Sequence, residues 1–179
     1  MTNKATAIDQ QLNRTKLLLL DVDGVLTNGS IIYNDEGIET KAFNVKDGLG
    51  LRLLMEAGIK VGIATGRSSE ALYKRCRDLK IKKEYIFDNV KDKAAILDMI
   101  AEQTDVSSED MAFIGDDLPD ISMMKKIGLP IAVADAHNTV IEHAAMVTEA
   151  KGGKGAVREV CEAILKARGI WKDILEKFL

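Results

Sequence analysis

The chain has 179 residues, 46% of them hydrophobic and 30% charged, with a formal net charge of -3. This is the make-up of a globular chain with room for a substantial core, and the slight acidic excess gives no reason to expect nucleic acid or an anionic membrane as partner. No apolar run reaches bilayer-spanning length, residues 1–15 hold no apolar signal core, and Cys76 and Cys161 form no Cys-x-x-Cys pair, so buried reduced thiols and a cytoplasmic location are expected.

In chain order, residues 1–15 read as a loose or helical lead. Residues 16–21 form a short apolar run that predicts a strand buried on both faces. Residues 30–33 and 38–43 flank the turn cluster Asn34-Asp35-Glu36-Gly37 and predict a hairpin, the core of an insertion over 28–45. Helical spacing runs over 47–57 and stops at Gly58, a suitable C′ residue. A second buried strand follows at 59–64. Ser68 or Ser69 can cap a helix to Leu79, and 85–87 is a third strand. Asp92 caps a helix to Gln103, and 111–114 is a strand. Pro119 suits the first turn of a helix to Ile127. Short strands at 131–133 and 146–148, a helix over 155–168 and an amphipathic end at 171–179 complete the chain, with 151–179 read as a C-terminal tail. His137 and His143 have no ligand companions and read as surface or helix residues. Strands alternating with helices predict a doubly wound α/β fold with a mostly parallel sheet, in a single domain over 1–179.

Polar chemistry collects where strands end. Asp21-Val22-Asp23-Gly24 puts two carboxylates on one side of a strand end, where ligands bind in open parallel sheets. So close a pair repels unless a cation joins it, which points to Mg²⁺ beside a carboxylate nucleophile. An EF-hand needs glycine at the sixth position and further oxygen ligands; here glycine is fourth, and Val25 and Leu26 follow, whereas a strand-end turn capped by Asp explains the motif taken alone equally well until the later acids are counted. Thr65-Gly66-Arg67 offers a hydroxyl and an approachable backbone at a helix start, a shape suited to phosphate, although Thr65 and Ser68 could equally be plain caps. Lys91 and Lys93 flank Asp92 where a cation opposes the helix dipole, so an anion nearby is expected, against the plainer reading of solvated lysines. Gly115-Asp116-Asp117-Leu118-Pro119-Asp120 places three acids at one turn, better explained by a divalent cation than by capping alone.

These four motifs, in this order, resemble those of the haloacid dehalogenase superfamily of phosphotransferases. The resemblance implies that Asp21 is the nucleophile that takes the phosphoryl group and that Asp23 is the general acid and base. It implies Mg²⁺ bound by the side chains of Asp21 and Asp116 and the backbone carbonyl of Asp23. Thr65 and Lys93 would hold the phosphoryl oxygens; Lys93, which enters the helix directly, is preferred to Lys91. Asp117 and Asp120 would orient ligands or Lys93.

The spacing leaves no room for a cap domain after the first motif or between the second and third, so water should be excluded by a neighbouring subunit. Capless chains with such a hairpin include the 3-deoxy-D-manno-octulosonate 8-phosphate phosphatases of lipopolysaccharide sugar synthesis. The similarity runs through residues 41–48, 115–118, 133–137 and 152–159. It implies a homo-oligomer, a tetramer assembled through hairpins, and a sugar-acid phosphate substrate. By position it implies substrate contacts from Asp23, Asn44, Val45, Lys46, Asp47, Gly48, Arg52, Gly66, Arg67, Arg75 and Lys93, arginine being suited to carboxylate and phosphate. Two alternatives stay open. One is a nine-carbon sugar-acid 9-phosphate phosphatase on the same fold, against which Arg67 speaks. The other is a non-catalytic assembly module, against which the intact acids speak.

Overall fold

The computed structural model describes residues 2–179, with side chains from residue 7 onward. A helix, α1 (Thr2–Arg14), leads into β1 (Leu17–Leu20), whose four leucines are all buried. The hairpin strands β2 (Ile32–Tyr33) and β3 (Glu39–Thr40) come next, then α2 (Val45–Glu56), β4 (Lys60–Ala64), α3 (Glu70–Leu79) and β5 (Ile86–Phe87). The chain continues through α4 (Leu97–Thr104), β6 (Met111–Gly115), α5 (Ile121–Met124), β7 (Leu129–Ala132), α6 (Asn138–His143), β8 (Met146–Val147), α7 (Ala156–Ala167) and α8 (Trp171–Glu176).

The main sheet has six strands in the order β5-β4-β1-β6-β7-β8, every pair parallel. β1 lies between β4 and β6, with Leu20 opposite Ile63 on one side and Ile114 on the other. The chain builds outward from β1 in one direction through β4 and β5, then returns and builds in the other. Connections of this reach are right-handed. They place α2 and α3 on one face, where α1, α7 and α8 also pack, and α4, α5 and α6 on the opposite face. The carboxyl ends of β1, β4 and β6 therefore meet at the topological switch point, where this class of sheet leaves a crevice.

Several elements differ from the sequence reading, each for a local reason. The hairpin strands are two residues long, because Ile32 pairs with Thr40 and Tyr33 with Glu39 and no core lies under the flanking residues. The segment after Pro119 is a tight turn, Leu118–Asp120, followed by one turn of α5. It ends early because β7 begins at Leu129, two residues ahead of the expected strand, in register with Ala112. β7 accommodates Pro130 because β8 pairs only with Ile131 and Ala132. The six-residue α6 was not expected; its cap is the ring of His137, whose Nδ1 accepts from the Thr139 amide at 3.2 Å. The helix expected over 155–168 is present as α7, and α8 follows it. α7 buries Ala156, Val157, Val160, Cys161, Ile164 and Leu165 at helical spacing in the main core. Cys76 and Cys161 are both free and buried, and burial pushes the Cys76 thiol up to about 11.

Candidate active site

β1 ends at Leu20, and the Asp21 amide extends its ladder by donating to the Ile114 carbonyl at 3.0 Å. The chain then wraps into a tight loop. The amides of Leu26 and Thr27 both donate to the Val22 carbonyl at 3.0 Å, and the Thr27 hydroxyl accepts from Gly24 and Gly29. Gly24 has φ +92, and a Cβ there would fall 1.9 Å from Asp116 Oδ2. The loop is buttressed from behind by Gly152 and Gly153, against whose α-carbons the Gly24 and Thr27 backbone packs with no room for a side chain.

Thr65 leaves β4 buried, its amide bonded to the Phe87 carbonyl and its carbonyl to the Val90 amide. Asp92 caps the next turn by accepting from the Ala94 amide at 3.0 Å, which sends Lys93 inward while Lys91 stays exposed. The Lys93 ammonium lies over the Phe113 ring, 3.0 Å from Asp21 Oδ1 and 2.5 Å from Asp120 Oδ1. Asp120 is buried and accepts from the Asp116 and Asp117 amides at 2.8 and 3.3 Å, so it fixes both the acidic turn and the lysine.

Asp21, Asp23, Thr65, Gly66, Arg67, Lys93, Asp116, Asp117 and Asp120 thus line one open cleft of about 350 Å³. Of the acids, Asp21, Asp116 and Asp120 offer carboxylate oxygens within 4.8 Å of one another. Asp120 is already committed to amides and to Lys93, Asp21 Oδ1 is held by Lys93 alone, and Asp116 Oδ1 is buried with no hydrogen-bond partner among the described residues. Converging carboxylates of which one oxygen, Asp116 Oδ1, has no partner among the described residues fit a hard divalent cation such as Mg²⁺. The electrostatics agree. Burial, with Asp21 and Asp120 beside it, pushes Asp116 up to about 8. Burial raises Asp21 to about 6 against the attraction of Lys93. Burial alone would lower Lys93, but Asp21 and Asp120 outweigh it and raise its pKa, so the ammonium stays charged.

The second carboxylate of the first motif has different partners. Asp23 Oδ1 accepts from the Lys41 ammonium, and Asp23 Oδ2 lies 3.5 Å from Arg67 Nε. Arg67 also donates to Glu39 at 2.7 Å and to the Tyr33 hydroxyl at 3.3 Å, so the hairpin rests on the cleft. Sequence reasoning missed Lys41, Glu39 and Tyr33 as site residues. The one available signal was a lone lysine inside a β-prone segment.

The remaining expected substrate contacts do not line the cleft of their own chain. Asn44 caps α2 by accepting from the Lys46 amide at 2.8 Å and reaches the Gly153 carbonyl at 3.3 Å. Val45, Lys46 and Arg52 are exposed on α2. The Asp47 carboxylate is buried and accepts from the Arg158 amide at 2.8 Å, capping α7 from a neighbouring helix. Arg75 donates to the Asn44 carbonyl at 3.0 Å, lies over the Phe43 ring and packs against Gly48.

Comparison with known proteins agrees with this geometry. A family model of haloacid dehalogenase-like hydrolases matches residues 84–160. The chain is 41% identical over 165 residues, 92% of its length and 87% of the relative's, to the 3-deoxy-D-manno-octulosonate 8-phosphate phosphatase KdsC of Salmonella typhi. It is 44% identical to the Escherichia coli K12 protein of that name over 86% of this chain and 81% of the relative. Among solved structures, the 3-deoxy-D-manno-octulosonate 8-phosphate phosphatase of Moraxella catarrhalis, in complex with magnesium, phosphate and KDO, superposes with a TM-score of 0.92 at 41% identity, covering 96% of this chain and 98% of that one. Likeness of that depth over nearly the whole of both chains, on a sheet whose switch point carries the acidic cleft, places this chain in the 3-deoxy-D-manno-octulosonate 8-phosphate phosphatase family of the haloacid dehalogenase superfamily.

Proposed function

We propose that the chain, acting as one domain, hydrolyses 3-deoxy-D-manno-octulosonate 8-phosphate to the free sugar acid and phosphate with Mg²⁺, in the cytoplasm, as a step of lipopolysaccharide sugar synthesis. The carrying observation is the convergence of the Asp21 and Asp116 carboxylates, with Asp116 Oδ1 buried and unpartnered among the described residues, beside the buried Lys93 that pairs with Asp21. The named substrate of the relatives supplies the sugar.

Asp21 attacks phosphorus from the end of β1, and the ester P–O bond breaks as the Asp21 Oδ–P bond forms. Asp23 gives its proton to the departing alkoxide, then takes one from the water that opens the acyl phosphate. Lys93 and the Thr65 hydroxyl hold phosphoryl oxygens as charge builds, and Asp120 keeps the lysine aimed. Asp21, Asp116 and the backbone carbonyl of Asp23 would hold Mg²⁺, which when bound offsets the charge of the phosphoryl group and of the two acids. Arg67 recognises the sugar carboxylate, exchanging Glu39 for it.

The cleft is open and the hairpin exposes Ile31, Ile32, Tyr33 and Ile38, 48–57% of each being accessible. Four large apolar side chains on a two-stranded ribbon support its burial between copies in a homo-oligomer, a tetramer by family resemblance. Asn44, Val45, Lys46, Asp47, Gly48, Arg52 and Arg75 contact the sugar, or support the segment that does, in that assembled state; for Asp47 and Arg75 the support is the structural bonding just described.

Turnover of a panel of sugar phosphates with and without EDTA tests the reading. Mg²⁺-dependent turnover that strongly prefers the eight-carbon sugar acid phosphate is expected. Equal rates on unrelated sugars contradict the substrate, and undiminished rates in EDTA contradict the metal.

A further inference from the structure

The general acid Asp23 closes a ring of alternating charge with three other side chains, Lys41, Glu39 and Arg67. Lys41 meets Asp23 Oδ1 and lies 2.6 Å from Glu39 Oε1. Arg67 lies 3.5 Å from Asp23 Oδ2 and 2.7 Å from Glu39 Oε2. Each carboxylate divides its two oxygens between the two cations. The cations differ in exposure: the Lys41 side chain is 2% accessible and that of Arg67 43%. Arg67 can therefore turn to an incoming anion, whereas Lys41 is enclosed between its two carboxylates. Once substrate takes Arg67, the orientation of the Asp23 carboxyl depends on Lys41 alone. Lys41 holds Oδ1, so Oδ2, whose neighbouring cation is Arg67 at 3.5 Å, is the oxygen left to face the leaving group once Arg67 turns away.

The geometry points to Lys41 as a positioning residue for the leaving-group step, with Glu39 tethering it, so that seating of the hairpin sets the aim of the general acid. This rests on the phosphatase reading above. The step is the one already written: the ester P–O bond breaks and the proton passes from Asp23 Oδ2 to the departing oxygen. An alkyl ester needs that proton; an aryl ester with a stabilised phenolate does not. General acid catalysis contributes roughly 10²–10⁴-fold, and a misaimed acid forfeits much of it. A lysine that served only to anchor the hairpin would affect both kinds of ester alike.

The test compares kcat/KM for the sugar-acid phosphate and for p-nitrophenyl phosphate in Lys41→Met, at saturating Mg²⁺. kcat/KM reports the barrier up to leaving-group departure. The expected result is a fall of about 10- to 100-fold for the alkyl ester and less than about threefold for the aryl ester. A burst of p-nitrophenolate should also appear, because the later water attack needs the same aimed Asp23. An equal fall on both esters, or no fall on either, overturns the assignment. Should Lys41→Met not fold, Lys41→Gln is read by the same ratio: a fall confined to the alkyl ester supports the assignment, and an equal fall or none overturns it. Failure of the phosphatase reading itself looks different: the unmodified protein would then turn over neither ester with Mg²⁺.

Discussion

Replacing Gly24 by alanine probes the contact between the first and last motifs. At φ +92 an L-residue meets backbone strain of about 1–2 kcal/mol, and the new Cβ lies 1.9 Å from Asp116 Oδ2 and 2.4 Å from the carboxyl carbon. Reaching even 3.0 Å, the lower limit of real Cβ contacts, forces the carboxylate back by about 1 Å. Asp116 is the proposed metal ligand, and a displacement of that size at a reacting centre costs on the order of 10²-fold in rate. Gly24→Ala should therefore lower kcat about 100-fold and weaken Mg²⁺ binding. It should also lower Tm by about 2–8 °C, since each kcal/mol is worth roughly 2–4 °C in a chain of this length. Gly58→Ala is the control: φ there is +82, nothing lies within 4 Å of the new Cβ, and the position precedes β4 at the end of the sheet away from the cleft. It should show the Tm loss with kcat unchanged. Steady-state kinetics, Mg²⁺ titration and thermal melts on both variants decide the matter. Near-native metal affinity and kcat in Gly24→Ala would refute the close packing on which the site geometry depends.

Mg²⁺ binding should strengthen with pH. Asp116 at about 8 and Asp21 at about 6 both lie above their unfolded values. In the metal-free protein these two groups therefore favour the fold most below about pH 4, and that contribution is lost as pH rises through both values. The metal takes only the ionised forms of both acids, so its affinity should be about 100-fold weaker at pH 6 than at pH 8, with proton release visible as a buffer-dependent binding enthalpy; equal affinity at the two values contradicts the raised Asp116. Asp47→Ala removes the cap on the Arg158 amide and should cost about 1–3 kcal/mol in a denaturant melt, with Asp47→Asn costing less than half of that. Similar stability in all three proteins would remove Asp47 as the α7 cap. Charged substitutions at Ile32 and Ile38 should turn the assembled protein into monomers in sedimentation analysis; unchanged mass would exclude the hairpin as the interface.

The α/β alternation and the strand-end motifs were legible because they are local. Leu17 to Leu20 and Met111 to Gly115 are unbroken apolar runs, and the acids that follow them stand where a parallel sheet presents its ligands. Gly24 and Lys93 are tied to the site by turns of a few residues, so their spacing carried the information. The hairpin was legible as a hairpin but not as part of the cleft. Nothing near Lys41 in the chain indicates that it meets Asp23, eighteen positions earlier. The same holds for the helix-capping bond of Asp47, whose partner is 111 positions away. α6 escaped notice because its cap is a histidine and its helix lasts six residues. The α7 helix was legible from its apolar stripe, whereas its docking against α1 and α2 was not.

The most direct test of the account is where the phosphoryl group goes. Unmodified protein, Mg²⁺ and the eight-carbon sugar-acid phosphate are mixed, quenched within milliseconds and digested for mass spectrometry. A hydroxylamine-labile phosphate on the peptide that carries Asp21, absent from Asp21→Asn, is the predicted result. Steady release of phosphate with no label on Asp21, or with Asp21→Asn still turning over at the native rate, would contradict it.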